Sequence, residues 1–350
     1  MQVHKICNEF MKKSSVESNP KLHLIWAQEN QPVWRDIKSL EQKNHIVRIP
    51  HDSAECQIEV NGQQFQIEVV ESSTSPDLAA AYQLLIDTFQ EDEVEVEDIF
   101  RADIEGKTDQ GEPYYYQSKL YILKNSKGEV VSLIKGAHIT LEDEDCSPTN
   151  KSMFIIEHAV TRVDWRGLRL AQQVYISALI DLSIEAEMQG KKLLFAMGEA
   201  VENSEKFWNK LGWKRVYAQN NDNSRYYTEV PYIQPALDFD PATGEITEGV
   251  KGVLEHLMIG GFGDHITSKT ELCQAVRALY NNAAKWPRSD FESDDAYNKH
   301  VCYVEFLFKS FMDFFSSRSK IIFLDQGTRD RLRKKGVTID EFMAADANAN

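Results

Sequence analysis

Paired cysteines are missing from this sequence. Its five cysteines, Cys7, Cys56, Cys146, Cys273 and Cys302, are scattered and odd in number, with no Cys-x-x-Cys spacing. That excludes a disulfide framework and a cysteine zinc site, and makes a reducing cytoplasm the expected compartment. Also missing is any apolar run near the roughly 18 residues that a membrane helix needs, so no membrane partner is expected. Met1–Lys13 mix polar and apolar residues without a signal-peptide core. Positive charge is scarce: 39 Lys and Arg against 55 Asp and Glu give a formal net charge of −16. A general nucleic-acid binder carries the opposite balance, so no nucleic-acid partner is expected, whereas a cationic substrate is compatible with it.

What is present is ordinary globular chemistry over 350 residues, enough for one large or two modest domains with a buried core. Residues 1–62 read as an extension packing on the rest, with short helices at Glu9–Lys13 and Trp34–Gln42. From Gln63 the pattern sharpens. Phe65, Ile67 and Val69 alternate as in a strand, and a capped helix follows over Leu78–Phe89. An acidic run, Glu91–Asp98, reads as a solvated face and leads into a second helix at Ile99–Ile104. Leu120–Leu123 and Val130–Ile139 form a hairpin through Asn125-Ser126-Lys127-Gly128. Met153–Val163 is another strand.

Leu170, Val174, Ala178 and Leu182 recur at helical spacing up to the stop at Gly190. Leu193–Met197 then reads as a buried strand, Glu202–Leu211 as a helix, and Trp213–Ala218 with Tyr226–Tyr232 as a final strand pair. Prolines near 231–241 set a boundary at 232/233. Beyond it, helices are expected at Glu271–Ala284 and Ala296–Phe315, with short ones at Arg329 and Ile339. Gly260-Gly261-Phe262-Gly263 reads as a turn. The expected organisation is therefore 1–62, a core domain at 63–232, and a mainly helical region at 233–350.

One turn stands out. Asp164-Trp165-Arg166-Gly167-Leu168-Arg169-Leu170-Ala171 closes a strand and opens a helix. The first free amides of a helix, its dipole, a glycine and arginines together make a place to hold a phosphate. A plain strand-to-helix turn with surface arginines is the alternative. Some forty residues on comes Phe207-Trp208-Asn209-Lys210-Leu211-Gly212-Trp213.

These two motifs, with the element order around them, resemble the GNAT superfamily of acetyl-CoA-dependent N-acetyltransferases over about half of the chain. The resemblance implies an α/β (α+β) fold with a mixed, mostly antiparallel central sheet flanked by helices. It implies acetyl-CoA as acyl donor, with no metal, and an amine acceptor, small-molecule or peptide, that attacks the thioester directly. Arg166, Gly167, Leu168, Arg169, Leu170 and Ala171 would grip the pyrophosphate. The backbone at Val160 and Thr161 would meet the acyl and pantetheine parts. Asn203 is a pantetheine contact or a helix cap.

Two positions depart from the family pattern. Arg169 stands where glycine is usual; in helical φ/ψ it fits, and its guanidinium could reach a phosphate. Trp208 stands where a tyrosine usually protonates the leaving thiolate, which leaves Tyr217, Tyr226 or Tyr227 as candidates, Tyr217 foremost. Glu157, an acid among apolar strand residues, is the candidate general base; a strand Glu that faces solvent or pairs with Arg162 is the bland alternative. A catalytically inactive acyl-CoA-binding module, or transfer of a longer acyl chain, fits the same motifs.

Overall fold

A computed structural model describes residues 46–50, 56–89, 94–107, 111, 117–200, 204–220, 225–235, 239–247, 253–261, 267–316 and 318–341. The helices expected at Glu9–Lys13 and Trp34–Gln42 lie outside these residues, as does Asn203. The chain divides into two compact units. One takes the chain as far as Glu95, with Lys119–Lys135 and His158–Leu193; the other takes Val96–Ser118, Gly136–Glu157 and Leu194 onward.

The first unit's strands are β1 (Ile46–Pro50), β2 (Cys56–Val60), β3 (Gln63–Val70) and β4 (Ser118–Asn125), in that order and antiparallel. The start of β5 (Val130–Glu142) and the end of β6 (Pro148–Thr161) continue it. The expected 62/63 boundary falls inside the β2–β3 hairpin, where Cys56 faces Ile67 and Val60 faces Gln63. Helix α1 (Pro76–Ile86) starts with the Ser75 side chain accepting from the Asp77 amide and a proline in its first turn. The long helix α3 (Leu170–Met188) buries far more than one stripe: Gln173–Leu179 are buried without a break. Its acids are used. Asp181 accepts from Tyr121 at 3.0 Å and from Lys119 at 3.0 Å, and Lys119 also meets Glu185 at 2.7 Å.

The second unit holds α2 (Glu97–Glu105), the remaining halves of β5 and β6, and β7 (Lys192–Ala200). Then come α4 (Glu205–Lys210), β8 (Lys214–Asn220), β9 (Tyr226–Glu229) and β10 (Tyr232–Gln234). The rest is β11 (Val253–Gly261), α5 (Lys269–Ala284), α6 (Asp294–Ser316), β12 (Arg318–Leu324), α7 (Gln326–Lys334) and β13 (Thr338–Asp340). Strand order here runs β5-β6-β7-β11-β8-β9-β13, with β10 on β11 and β12 on β8. β10–β11, β7–β11, β8–β11, β8–β12 and β8–β9 pair antiparallel and β9–β13 pairs parallel, so the sheet is mixed and mostly antiparallel, flanked by helices, as expected. Its core joins Ile139, Met153, Phe195 and Met197 to Leu272, Val276, Phe311 and Phe315 of α5 and α6.

Three expectations for the C-terminal region change. Gly260-Gly261 is strand, not turn: β11 inserts between β7 and β8. A Cβ on Gly260 would stand 2.4 Å from the Trp213 indole nitrogen, so the glycine is there to admit the ring, not to bend the chain. Ile339 lies in β13 rather than in a short helix, its backbone opposite Tyr227. Among the described residues, the region after 233 therefore supplies strands as well as the helices α5, α6 and α7.

Candidate functional site

The turn singled out in the sequence forms as a strand-to-helix junction inside the first unit. β6 ends at Thr161, a short 3-10 turn covers Val163–Trp165, and α3 begins at Leu170. The junction is braced from below. The Arg162 amide donates to the Val131 carbonyl at 2.9 Å, and the Ser132 hydroxyl donates to the Val160 carbonyl at 2.9 Å. Ser132 and Thr161 share a hydroxyl contact of 2.8 Å. Trp165 stands edge-on to Phe65 of β3, with ring centroids 5.4 Å apart. These contacts fix the loop on a rigid sheet.

Its outer surface is cationic. Arg162 makes a two-point pair with Asp164, at 2.8 and 3.0 Å, and that hydrogen bond holds the Asp164 carboxyl below its usual range. Arg166 donates through Nε to the Thr161 carbonyl at 2.9 Å, which folds its exposed guanidinium back across the loop. Gly167 has φ +87°, a conformation that L side chains rarely adopt. Arg169 is the N-cap of α3 at φ 61°, ψ 25°, and no side chain caps the helix. The left-handed geometry corrects the expectation that Arg169 sits in ordinary helical φ/ψ; it costs roughly 1–2 kcal/mol in a non-glycine residue. No acid occupies the first turn of α3. Its first amides have no acceptor within the helix, and the one acid of the preceding loop, Asp164, is engaged by Arg162.

The second unit holds the candidate base. Glu157, on β6, accepts from the Ser118 hydroxyl at 2.9 Å through Oε1. Ser118 opens β4 and lies 3.4 Å from Oδ2 of Asp103, which α2 turns inward. On β7 and β11 stand two further acids. Glu199 lies opposite Leu257, one strand step from Glu255, and Glu255 lies opposite Tyr232. Burial, then repulsion from Glu255 and from Glu157, push the Glu199 carboxyl well above its usual range, while a hydrogen bond from Tyr232 opposes the rise. Arg162 pairs with Asp164 and Glu129, so it is not the partner anticipated for Glu157.

Neither tyrosine nor tryptophan of the later elements has the setting of a proton donor. Tyr217 is buried on β8, and its hydroxyl donates to Glu341 at 2.6 Å. Burial, then the nearby Glu229 charge and that hydrogen bond, push its pKa far upward. Tyr226 donates to Asp340. Trp208 is packed between Phe207 and Trp213, at 4.8 and 4.5 Å between ring centroids, which explains a large apolar ring at this position.

The structure thus brings together Val160, Thr161 and Arg166–Ala171 in one unit, and seats Glu157 and Tyr217 in the other on different partners. Ser118, Asp103, Glu199 and Glu255 were not legible as site residues. Glu199 had a signal, an acid directly after the apolar run Leu193–Met197; Ser118 had none. The acidic run is only partly solvated. Glu97 pairs with Arg101 at the surface, but Glu95 is half-buried against the buried Lys135 and lies 3.8 Å from His158 in the first unit. Burial opposes its ionisation, yet the Lys135 and His158 charges hold its pKa at about 2.

No family model and no curated protein matches the chain. Among solved structures, it is similar to a Trypanosoma brucei acetyltransferase, with 16% identity over 42% of this chain and 91% of that one, at a TM-score of 0.29. It is similar to an aminoglycoside N-acetyltransferase in complex with CoA, with 13% identity over 43% and 89%, at 0.30. A GNAT-family acetyltransferase of Staphylococcus aureus gives 11% over 45% and 89%, at 0.29. At such TM-scores these likenesses carry no weight for the chemistry, which has to come from the residues of this chain. Among the described residues, no helix is long and apolar enough to cross a membrane.

Proposed function

We propose that the protein is an acyl-CoA-dependent N-acyltransferase, moving an acetyl group to a primary amine. One observation carries the reading: the start of α3 is uncapped, free of acids in its first turn, and preceded by Gly167 at φ +87° among Arg162, Arg166 and Arg169. A helix of nineteen residues that begins this way, with no side-chain cap and no acid in its first turn, presents its first amides beside the exposed Arg166 and Arg169. A pyrophosphate fits that chemistry, and acetyl-CoA supplies one together with an activated thioester.

Transfer to an amine needs a proton acceptor, because an ammonium group has no lone pair for attack. Glu157 supports that role: it is the acid of β6, four residues before the strand ends, with a hydroxyl donor fixed on one of its oxygens. Proton return to the departing thiolate is assigned to water rather than to Tyr217, whose hydroxyl is committed to Glu341.

The test is titration calorimetry with acetyl-CoA, followed by thiol release across a panel of amines. Saturable binding with amine-dependent thiol release is expected, and Glu157→Gln should keep the affinity while lowering turnover. No binding at high micromolar ligand removes the donor assignment. Binding without turnover favours the second reading, a non-catalytic acyl-CoA module, for which the engagement of Tyr217 and the packing of Trp208 speak.

A further inference from the structure

We infer that His300 is a pH-sensitive latch: as a neutral ring it holds the turn 239–247 on the start of α6, and on taking up a proton it releases that turn. The inference is independent of the acyl-transfer reading and lies wholly within the second unit. His300 stands one helical turn after Ala296, so the two share a face of α6. They are 2% and 1% exposed. Gly244 lies directly on Ala296: at its φ of +69°, a Cβ would stand 1.9 Å from the Ala296 carbonyl oxygen. Phe239, where the turn begins, stacks on Phe291 with ring centroids 4.5 Å apart and lies 5.1 Å from the His300 ring. Phe291 at 5.4 Å and Trp286 at 6.3 Å complete an aromatic box around the imidazole. The Glu292 amide donates to the Pro241 carbonyl at 2.9 Å, which ties the turn to the same place.

The box suits a neutral ring and not a charged one. Nε2 lies 3.1 Å from the Ala283 carbonyl, which can only accept, so Nε2 carries the hydrogen and Nδ1 the lone pair. Nδ1 is buried, and among the described residues no protein group reaches it. A proton there places a charge and a new donor between aromatic rings. Ring faces attract a cation, but less than full burial costs it in hydration. Burial accordingly holds the pKa of His300 below its usual 6.5, against the Ala283 hydrogen bond, and among the described residues no charge contributes. The charged groups of the packed elements are engaged elsewhere. Asp290 accepts from the Trp286 indole, Arg288 pairs with Asp294, Lys299 with Glu245, and Lys285 with Glu142. Asp240 accepts from the Ala242 amide, and Tyr297 donates to the Ala284 carbonyl. Glu292, Asp295 and Cys302 are exposed, and Tyr303 packs on the sheet core. The contribution of the latch is therefore full above the unfolded value near pH 6.5 and is lost as pH falls from there through the folded value. Over that window each pH unit favours the open turn by up to about ten-fold.

Hydrogen exchange followed by mass spectrometry tests this on the full chain, at about pH 7.5 and 5.5, with the intrinsic exchange rate at each pH divided out. Peptides covering 239–247 and 288–296 should lose about ten-fold in protection at the lower pH, while those of α3 keep theirs. His300→Gln, which keeps a donor for the Ala283 carbonyl and does not titrate, should remove the pH dependence. His300→Phe, which fills the box with an apolar ring, should remove it too, and either variant suffices if the other fails to fold. Unchanged protection in the wild-type protein overturns the inference. So does a fall that persists in a folded variant, or one shared by α3, which would be general acid unfolding. A second measurement reads the ring itself. In protein labelled with 15N at histidine, the His300 signal should show the Nε2–H tautomer at about pH 7.5 and titrate below pH 6.5. A ring that titrates at or above pH 6.5 also overturns the inference.

Discussion

Arginines are used in opposite ways at two places in this chain. At the start of α3, Arg166 and Arg169 are exposed, and among the described residues no carboxylate engages either. Around α4 and α7, Arg215 and Arg329 are 2% and 1% exposed and fully committed. Arg329 grips Glu205 through two nitrogens, at 2.7 and 3.0 Å, and pairs with Glu341 at 2.6 Å. Arg215 shares Oε2 of Glu205 with Arg329, at 2.6 Å. The second cluster is closed: each charge has a partner inside the protein, and α7 and β13 are thereby tied to α4 and β8. The first is open, and an open cationic helix start is a surface waiting for an anion. The comparison separates charges that hold the fold from charges that address a ligand.

It breaks first at Arg329. Arg329→Ala leaves Glu205 buried with only part of its compensation, and losing one partner of a buried pair typically costs about 3–5 kcal/mol. Denaturant unfolding should show a loss of that size, with acetyl-CoA affinity per folded molecule unchanged. A loss below about 1 kcal/mol would mean the cluster is looser than its distances imply.

The buried pair of the first unit gives a pH signature. The Glu95 carboxyl is held down to about 2 in the folded chain, by Lys135 and His158 against burial. A depressed carboxylate contributes stability above its unfolded value near 4.5 and loses it as pH falls through the folded one. The window is therefore about pH 4.5 down to 2, worth on the order of 3 kcal/mol. The double variant Lys135→Met/Glu95→Gln should flatten that part of the acid-unfolding curve; an unchanged slope would show that other carboxylates carry it.

The open cluster should respond in binding, not stability. Arg166→Ala removes a positive charge and the brace on the Thr161 carbonyl, so acetyl-CoA should bind about ten-fold more weakly, near 1.4 kcal/mol. The unfolding free energy should stay within about 0.5 kcal/mol, as for other surface changes. Equal affinity would remove Arg166 from the donor site.

The same contrast decides what could be read from the sequence. The open cluster was legible because it is local: a glycine, arginines and a helix start within eight residues reveal their geometry by adjacency. The closed cluster was not, because Glu205, Arg215, Arg329 and Glu341 are brought together over more than a hundred residues. β11 was hidden by Gly260-Gly261, whose role is set by the Trp213 ring of another strand. β13 has three residues, too few for a period to distinguish strand from helix. Ser118 gave no signal because its partners come from α2 and β6. The tyrosine reading failed to anticipate Glu341, a residue 124 positions from Tyr217.

Arg169 sharpens the comparison, since it combines a backbone cost with an open charge. Its left-handed φ of 61° costs roughly 1–2 kcal/mol that glycine would avoid, while glycine gives back about 0.5–1 kcal/mol through the freedom of its unfolded chain. Arg169→Gly should therefore be neutral to slightly stabilising, by no more than about 1 kcal/mol. Stability alone gives no reason for an arginine here. If the side chain addresses a phosphate, the same variant should bind acetyl-CoA about three- to ten-fold more weakly, and the weakening should shrink as salt is raised. A more stable protein with a weaker grip is the outcome that identifies a residue kept for its ligand. Unchanged affinity at low salt would instead leave Arg169 as a tolerated misfit at the helix start, with the amides of α3 and Gly167 carrying the anion alone.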